Sequence, residues 1–157
     1  MTKQIYKLKE LLGRKKTTSY DDLTNKILSF QLKNNLAIPP DLIQYFKLLD
    51  HSIYELDKDL YQFYSFDQFR SVAEELAHFG GIPNYNNIVN TLKQSENCFV
   101  FADYMANLFA YAIRLHQNIT KVNEVYLICG DEFKLVAISF SDFLDLYFDN
   151  SIELKTI

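Results

Sequence analysis

Three histidines (His51, His78 and His116) and two cysteines (Cys98 and Cys129) are the side chains of widest chemical range in this chain. Nucleophilic catalysis would need one of the histidines as a base within hydrogen-bond reach of a Ser, Thr or Cys. His51 follows an expected helix end and His78 lies late in another helix, where the carbonyl end of the helix favours imidazolium. His116 closes an expected strand. None belongs to a GxSxG or HExxH pattern. Both cysteines lie in apolar strand-like runs, where reduced buried thiols are the norm. Without a CxxC, no metal knuckle or redox pair is expected. Asp57-Lys58-Asp59 resembles part of a calcium loop but lacks the glycine and terminal glutamate of an EF-hand, so it reads as a solvated turn. Asp131-Glu132 after Gly130 reads as a hairpin tip. Asp103, at a strand end, could do acid–base work, but no spacing picks out a partner. Four glycines are too few to expect a phosphate-cradling loop. These residues form no catalytic or metal constellation, and no cofactor is expected.

The elements that hold these residues must belong to a folded body. A chain of 157 residues is the length of one domain that buries about two-thirds of its unfolded surface. Much of that burial falls to 13 Phe and 11 Tyr, with no Trp. Charge is unevenly spread. Lys3, Lys7, Lys9, Arg14, Lys15 and Lys16 against Glu10 give the first 16 residues +5, and the remainder carries -9. An acidic body disfavours nucleic acid and anionic membrane and favours a basic protein partner. The basic leader interleaves Tyr6 with leucines and reads as an amphipathic helix packing on the body, not as a nucleic-acid arm. No apolar run approaches a membrane span or a secretory signal, so a cytoplasmic protein is expected. The division expected is a basic helical extension over residues 1–18 and a single domain over 19–157.

Ile5, Leu8 and Leu12 give the leader a helical stripe. Ser19 and Asp22 open a second helix, with Leu23, Ile27 and Phe30 on one face, fading near Asn34-Asn35. Pro40 suits the first turn of a third, which buries Leu42, Tyr45, Phe46 and Leu49 and ends at His51-Ser52. Ile53 to Phe66 reads as strand material interrupted at 57–59. Two segments, SFDQF at 65–69 and SFSDF at 139–143, place a serine before a helix with an N3 partner (Gln68 or Asp142). Hydrophobic staples, Tyr64 with Phe69 and Ile138 with Phe143, flank each cap. The first of these helices is expected to run from Phe66 to a left-handed stop at Gly80-Gly81. An Asn-rich connection follows, with a helical turn near Ile88–Leu92. Two hairpins come next: Cys98–Asp103 with Phe109–Leu115, and Glu124–Cys129 with Phe133–Ala137. The first reversal lacks glycine, leaving Asn107 as the residue suited to positive φ. A last helix over Phe140–Asp149 buries Phe140, Phe143, Leu144 and Tyr147.

The order of four pieces resembles the SUKH superfamily, which includes the yeast cell-wall-synthesis regulator family and many bacterial immunity proteins. The pieces are Ile38-Pro39-Pro40-Asp41-Leu42 running into Tyr45-Phe46; Phe63-Tyr64-Ser65-Phe66; Phe101-Ala102-Asp103 followed by Tyr111-Ala112-Ile113; and Ser139-Phe140-Ser141-Asp142-Phe143-Leu144. They cover Ser19 to Asn150. Two glycine-bearing segments of the pattern are missing, after the proline helix and after Asp103. The resemblance implies an α+β domain, an antiparallel sheet backed by helices, with a non-catalytic, protein-binding role. In bacteria that role would be neutralising a cognate toxin, and in fungi regulatory scaffolding. The expected contact face is an acidic, tyrosine-bearing rim of Asp57, Asp59, Tyr61, Asp103, Tyr104, Asp131 and Glu132, where tyrosines supply contact area and carboxylates steer a basic partner.

Overall fold

A computed structural model describes residues 3–12, 20–49 and 56–157. The expected Ser19 cap, the helix end at His51-Ser52 and the start of the strand material at Ile53 lie outside the described residues, as does His51 itself. The chain forms helices α1 (Lys3–Leu12), α2 (Tyr20–Asn34), α3 (Pro40–Leu48), α4 (Val72–Glu75), α5 (Ile88–Thr91) and α6 (Phe140–Phe148). Its strands are β1 (Tyr61–Phe63), β2 (Arg70–Ser71), β3 (Cys98–Tyr104), β4 (Phe109–Arg114), β5 (Val125–Cys129) and β6 (Glu132–Ala137). They build one antiparallel sheet in the order β1-β3-β4-β5-β6, with β2 pairing the other end of β3. The fold is α+β.

Side-chain alternation divides β3 between two cores. Phe99 and Phe101 enter the larger one, with Phe63, Tyr111 and Leu127 from neighbouring strands and Tyr45, Phe46, Phe140 and Phe143 from α3 and α6. Cys98 and Val100 enter the smaller one, with Ala110, Ala112 and Ile128, beneath Val72, Leu76, Tyr85, Ile88 and Leu92. Long helices therefore cover one face and the irregular 72–92 connection covers the other. The basic leader joins the larger core: Ile5 and Leu8 on α1 are fully buried there, against α3 and α6.

Local signals explain the element ends. Pro40 starts α3 directly after an extended Pro39. Ser139 accepts the Asp142 N–H at 3.0 Å and caps α6, an arrangement worth about 1 kcal/mol. Asp41, in the first turn of α3, accepts from the Ser141 N–H and hydroxyl at 3.0 and 2.9 Å, which ties the starts of α3 and α6 together.

The helix expected over 66–80 is broken. Ser65 opens only a 3-10 turn at Phe66–Gln68, where Gln68 Oε1 accepts the Ser65 N–H at 3.0 Å. Arg70 and Ser71 then pair with Val100 and Phe99 as β2. A second capping box restarts the helix: Ser71 Oγ accepts the Glu74 N–H at 3.2 Å, and Glu74 accepts the Ser71 N–H at 3.2 Å. α4 ends at Glu75, so Gly80-Gly81 lies beyond it and supplies no left-handed stop. A free edge on β3 outcompetes the helical propensity of this segment.

Candidate functional site

Three turns meet at one end of the sheet. They are the entry to β1 at residues 57–60, the β3–β4 reversal at 105–108 and the β5–β6 reversal at Gly130-Asp131. Strand register puts them there: Tyr61 faces Tyr104, Tyr104 faces Phe109, and Cys129 faces Glu132. At a strand spacing of about 4.8 Å, the row from β1 to β6 spans about 19 Å.

The first turn is built by Asp57. Its Oδ1 accepts the N–H groups of Asp59 and Tyr61, each at 2.8 Å, and its other oxygen accepts the Tyr147 hydroxyl. Leu60 is thereby held at φ +70°, and its carbonyl accepts the Met105 N–H at 3.0 Å, joining the first turn to the second. Met105, Ala106 and Asn107 all adopt positive φ (49°, 51° and 67°). Only Asn107 is a residue type suited to it, and left-handed backbone costs other L-residues about 1–2 kcal/mol each. Strain of this kind is retained where the surroundings over-determine the backbone, and it clusters at functional sites. Here Leu60 and Met105 present apolar side chains to solvent, 43% and 45% exposed, and Leu108, which follows the left-handed run, is 37% exposed.

Tyr85 stitches this end from below. Its ring is fully buried. Its hydroxyl donates to the Asn107 carbonyl at 2.6 Å and lies 3.4 Å from the Leu108 and Ile128 carbonyls. The third turn approaches the same connection. Gly130 has φ +63°, and a Cβ there would stand 3.1 Å from the Asn84 carbonyl oxygen. The Thr91 hydroxyl donates to the Asp131 carbonyl at 2.7 Å. The Asn-rich stretch around Tyr85 is therefore a brace. Its sequence signal is slight: a single aromatic among asparagines.

The residues expected to form the rim divide by depth. Asp59, Asp131 and Glu132 are exposed, and Tyr104 is half-buried. Tyr104 stacks on Phe109, and the Lys155 ammonium sits 5.8 and 5.5 Å from the centres of the Tyr61 and Tyr104 rings. Asp57 is half-buried and spent on its turn. Tyr61 is buried in a cage of Phe63, Tyr104, Tyr111 and Tyr147, and burial pushes its phenol up to about 12. Asp103 is 2% exposed. It accepts from the Tyr64 hydroxyl at 2.8 Å and the Asn107 N–H at 3.2 Å. Burial raises its pKa, and those two hydrogen bonds offset only part of the rise. Tyr61 and Asp103 thus act from beneath the rim, because strand alternation points them into the sheet's two covered faces. Residue type missed Leu60, Met105 and Leu108, whose exposure follows from the backbone of their turns.

The other reactive side chains are dispersed. His78 is exposed, and His116 Nε2 lies 3.0 Å from Glu124. Burial pushes the Cys98 thiol up to about 12 and also raises Cys129, so neither is primed as a thiolate. Among the described residues no three His, Cys, Asp or Glu side chains are grouped so as to hold a metal ion, and no helix is long and apolar enough to cross a membrane. Protein-family models, curated proteins and solved structures give no match to the chain.

Proposed function

We propose that this chain is a non-catalytic protein-binding domain that attaches stoichiometrically through the rim. The observation that carries the reading is the presentation of Leu60 and Met105 on left-handed backbone, with exposed Leu108 beside them, at one end of the sheet. Acidic Asp59, Asp131 and Glu132 stand at the same end. An apolar centre with charged surroundings is the anatomy of a protein interface. The acidic body would hasten encounter with a basic partner. Together with the SUKH resemblance, this favours an immunity role, in which the chain occupies the functional surface of a basic toxin domain.

The test compares the tagged chain with a Leu60→Asp/Met105→Asp variant, since Asp tolerates positive φ and only the apolar surface is removed. Both are used to capture partners from native cells at low and moderate salt. The expected outcome is one basic protein held stoichiometrically by the parent, lost from the variant, toxic when expressed alone and rescued by co-expression of this chain. Several non-toxic partners would replace the immunity role with regulatory scaffolding. Equal capture by the variant would remove the rim from the reading.

A further inference from the structure

β6 ends the sheet on the side away from β1. Its turn is Gly130-Asp131, closed by the pair Cys129 and Glu132. A two-residue hairpin hydrogen-bonds its closing pair, so the backbone groups of Glu132 and Lys134 turn toward β5. Those of Phe133 and Leu135 turn outward, where no strand among the described residues pairs with them. Free edges are ordinarily blunted by charge. Here the outward-bonding residues are apolar: Phe133 is 38% and Leu135 53% exposed, and neither joins either core. The Tyr126 ring meets Phe133 edge-on at 5.7 Å on the same face. The one lysine of the strand, Lys134, lies on the opposite face, drawn to Glu153 at 3.2 Å. A bulge at Val136 limits the regular edge to the residues from Glu132 to Leu135.

We propose that β6 pairs antiparallel with β6 of a second copy of this chain, about a two-fold axis at Lys134. Outward groups must meet outward groups, so the axis has to pass through a residue, not between two. At Lys134, Phe133 of each copy faces Leu135 of the other, and the two pairs exchange four backbone hydrogen bonds. An axis at Phe133 would run the pairing into the Gly130-Asp131 turn, and one at Leu135 into the bulge. On one face, Phe133 and Leu135 of both copies cover each other, flanked by the two Tyr126 rings. On the other face the two Lys134 ammoniums stand opposite, among four carboxylates. Glu153 of each copy is already bonded to its own Lys134. Glu132 has no ion pair among the described residues and reaches Lys134 of the other copy along the diagonal. This charge match selects a second copy over an unrelated strand. The pairing uses up the β6 edge, so it closes at a dimer. Leu60 and Met105 adjoin β1 and β3, at the other side of the sheet, and stay open.

The test is sedimentation velocity of the full chain from about 10 μM to about 1 mM, joined to amide hydrogen exchange over the same range. A short edge makes a weak interface, so a reversible dimer with a Kd of roughly 100 μM is expected. Exchange at the Phe133 and Leu135 N–H groups should slow as the dimer fills, while that of Lys134, bonded to β5 in either state, stays level. Leu135→Lys, at an exposed position, should weaken the dimer at least about ten-fold. In a mixture of isotope-labelled and unlabelled chains, cross-peaks from the Phe133 ring of one copy to the Leu135 methyls of the other read the register. A monomer throughout, species larger than a dimer, or a dimer that keeps its strength in Leu135→Lys overturns the proposal. So does a dimer in which Phe133 and Leu135 exchange freely or give no such cross-peaks; these readouts use the parent chain and decide the matter even if Leu135→Lys does not fold.

Discussion

Replacing Tyr85 by Phe removes one oxygen from the brace beneath the rim and leaves the rest of the side chain in place. The ring is fully buried and packs edge-on against Phe79 at 5.6 Å, contacts that Phe keeps. What is lost is the 2.6 Å donation to the Asn107 carbonyl, together with a polar neighbour for the Leu108 and Ile128 carbonyls at 3.4 Å. A net hydrogen bond is worth about 1 kcal/mol, and a carbonyl left unpaired away from water adds to the loss. The Asn107 bond is only part-buried, so water recovers some of it, and the expected destabilisation is about 1–2 kcal/mol. For a domain of this length that corresponds to a fall in Tm of about 3–6 °C. Urea unfolding gives the global value. Amide hydrogen exchange at Asn107 and Leu108 reads the local one, because both N–H groups are bonded within the strained reversal. Exchange there should quicken more than in the centre of β4. A loss below about 0.5 kcal/mol with unchanged exchange would refute the idea that this hydroxyl holds the rim turns together.

Further outcomes follow from the same geometry. Burial raises Asp103 above its unfolded value, so the folded state keeps that proton to higher pH; stability falls as pH rises from about 3.9 through the raised folded value. Asp103→Asn, which cannot ionise, should therefore gain on the parent across that window, and identical pH slopes in urea titrations would contradict the assignment. Ala106→Gly, at φ 51°, should stabilise the chain by about 0.5–1 kcal/mol in thermal unfolding, since relief of left-handed strain outweighs the added freedom of the unfolded state. Tyr111→Phe should cost about 1 kcal/mol and loosen the C-terminal turn, whose Leu154 carbonyl accepts the Tyr111 hydroxyl at 2.7 Å. Asp131→Lys with Glu132→Lys should leave stability within about 0.5 kcal/mol, while slowing association with a basic partner and flattening its salt dependence; unchanged stopped-flow rates would clear these residues of any steering role.

Much of the architecture was legible in the sequence because it rests on local rules. Pro40 can start a helix but not continue one, and α3 begins there. Short apolar runs bounded by turn residues marked β3 to β6, and Ser139 marked the start of α6. What escaped depended on partners distant in sequence. Arg70-Ser71 became a strand because β3 offered it an edge some 30 residues later, not because its own residues favour one. Asp103 and Tyr61 looked like rim residues by type, but strand parity turned them inward. The positive φ of Met105 and Ala106 was unreadable because neither residue type favours it; the short reversal between fixed strand ends and the hydrogen bond from Met105 to Leu60 impose it.

The pairing of β1 and β2 with β3 has a consequence for how the chain assembles in time. β3, β4, β5 and β6 are consecutive, and each pairs with the next, so their contacts close short loops. β1 and β2 are made earlier yet must wait for β3, across the whole α4–α5 connection. Long closures cost more entropy and form more slowly. On a growing chain, the 61–71 segment therefore spends an interval without a sheet partner, and β3 in turn offers an apolar edge until that segment arrives. The join between Leu60 and Met105 depends on that late docking. The end of the sheet proposed to bind a partner is therefore complete only once β1 has paired with β3, the longest closure between strands of the sheet.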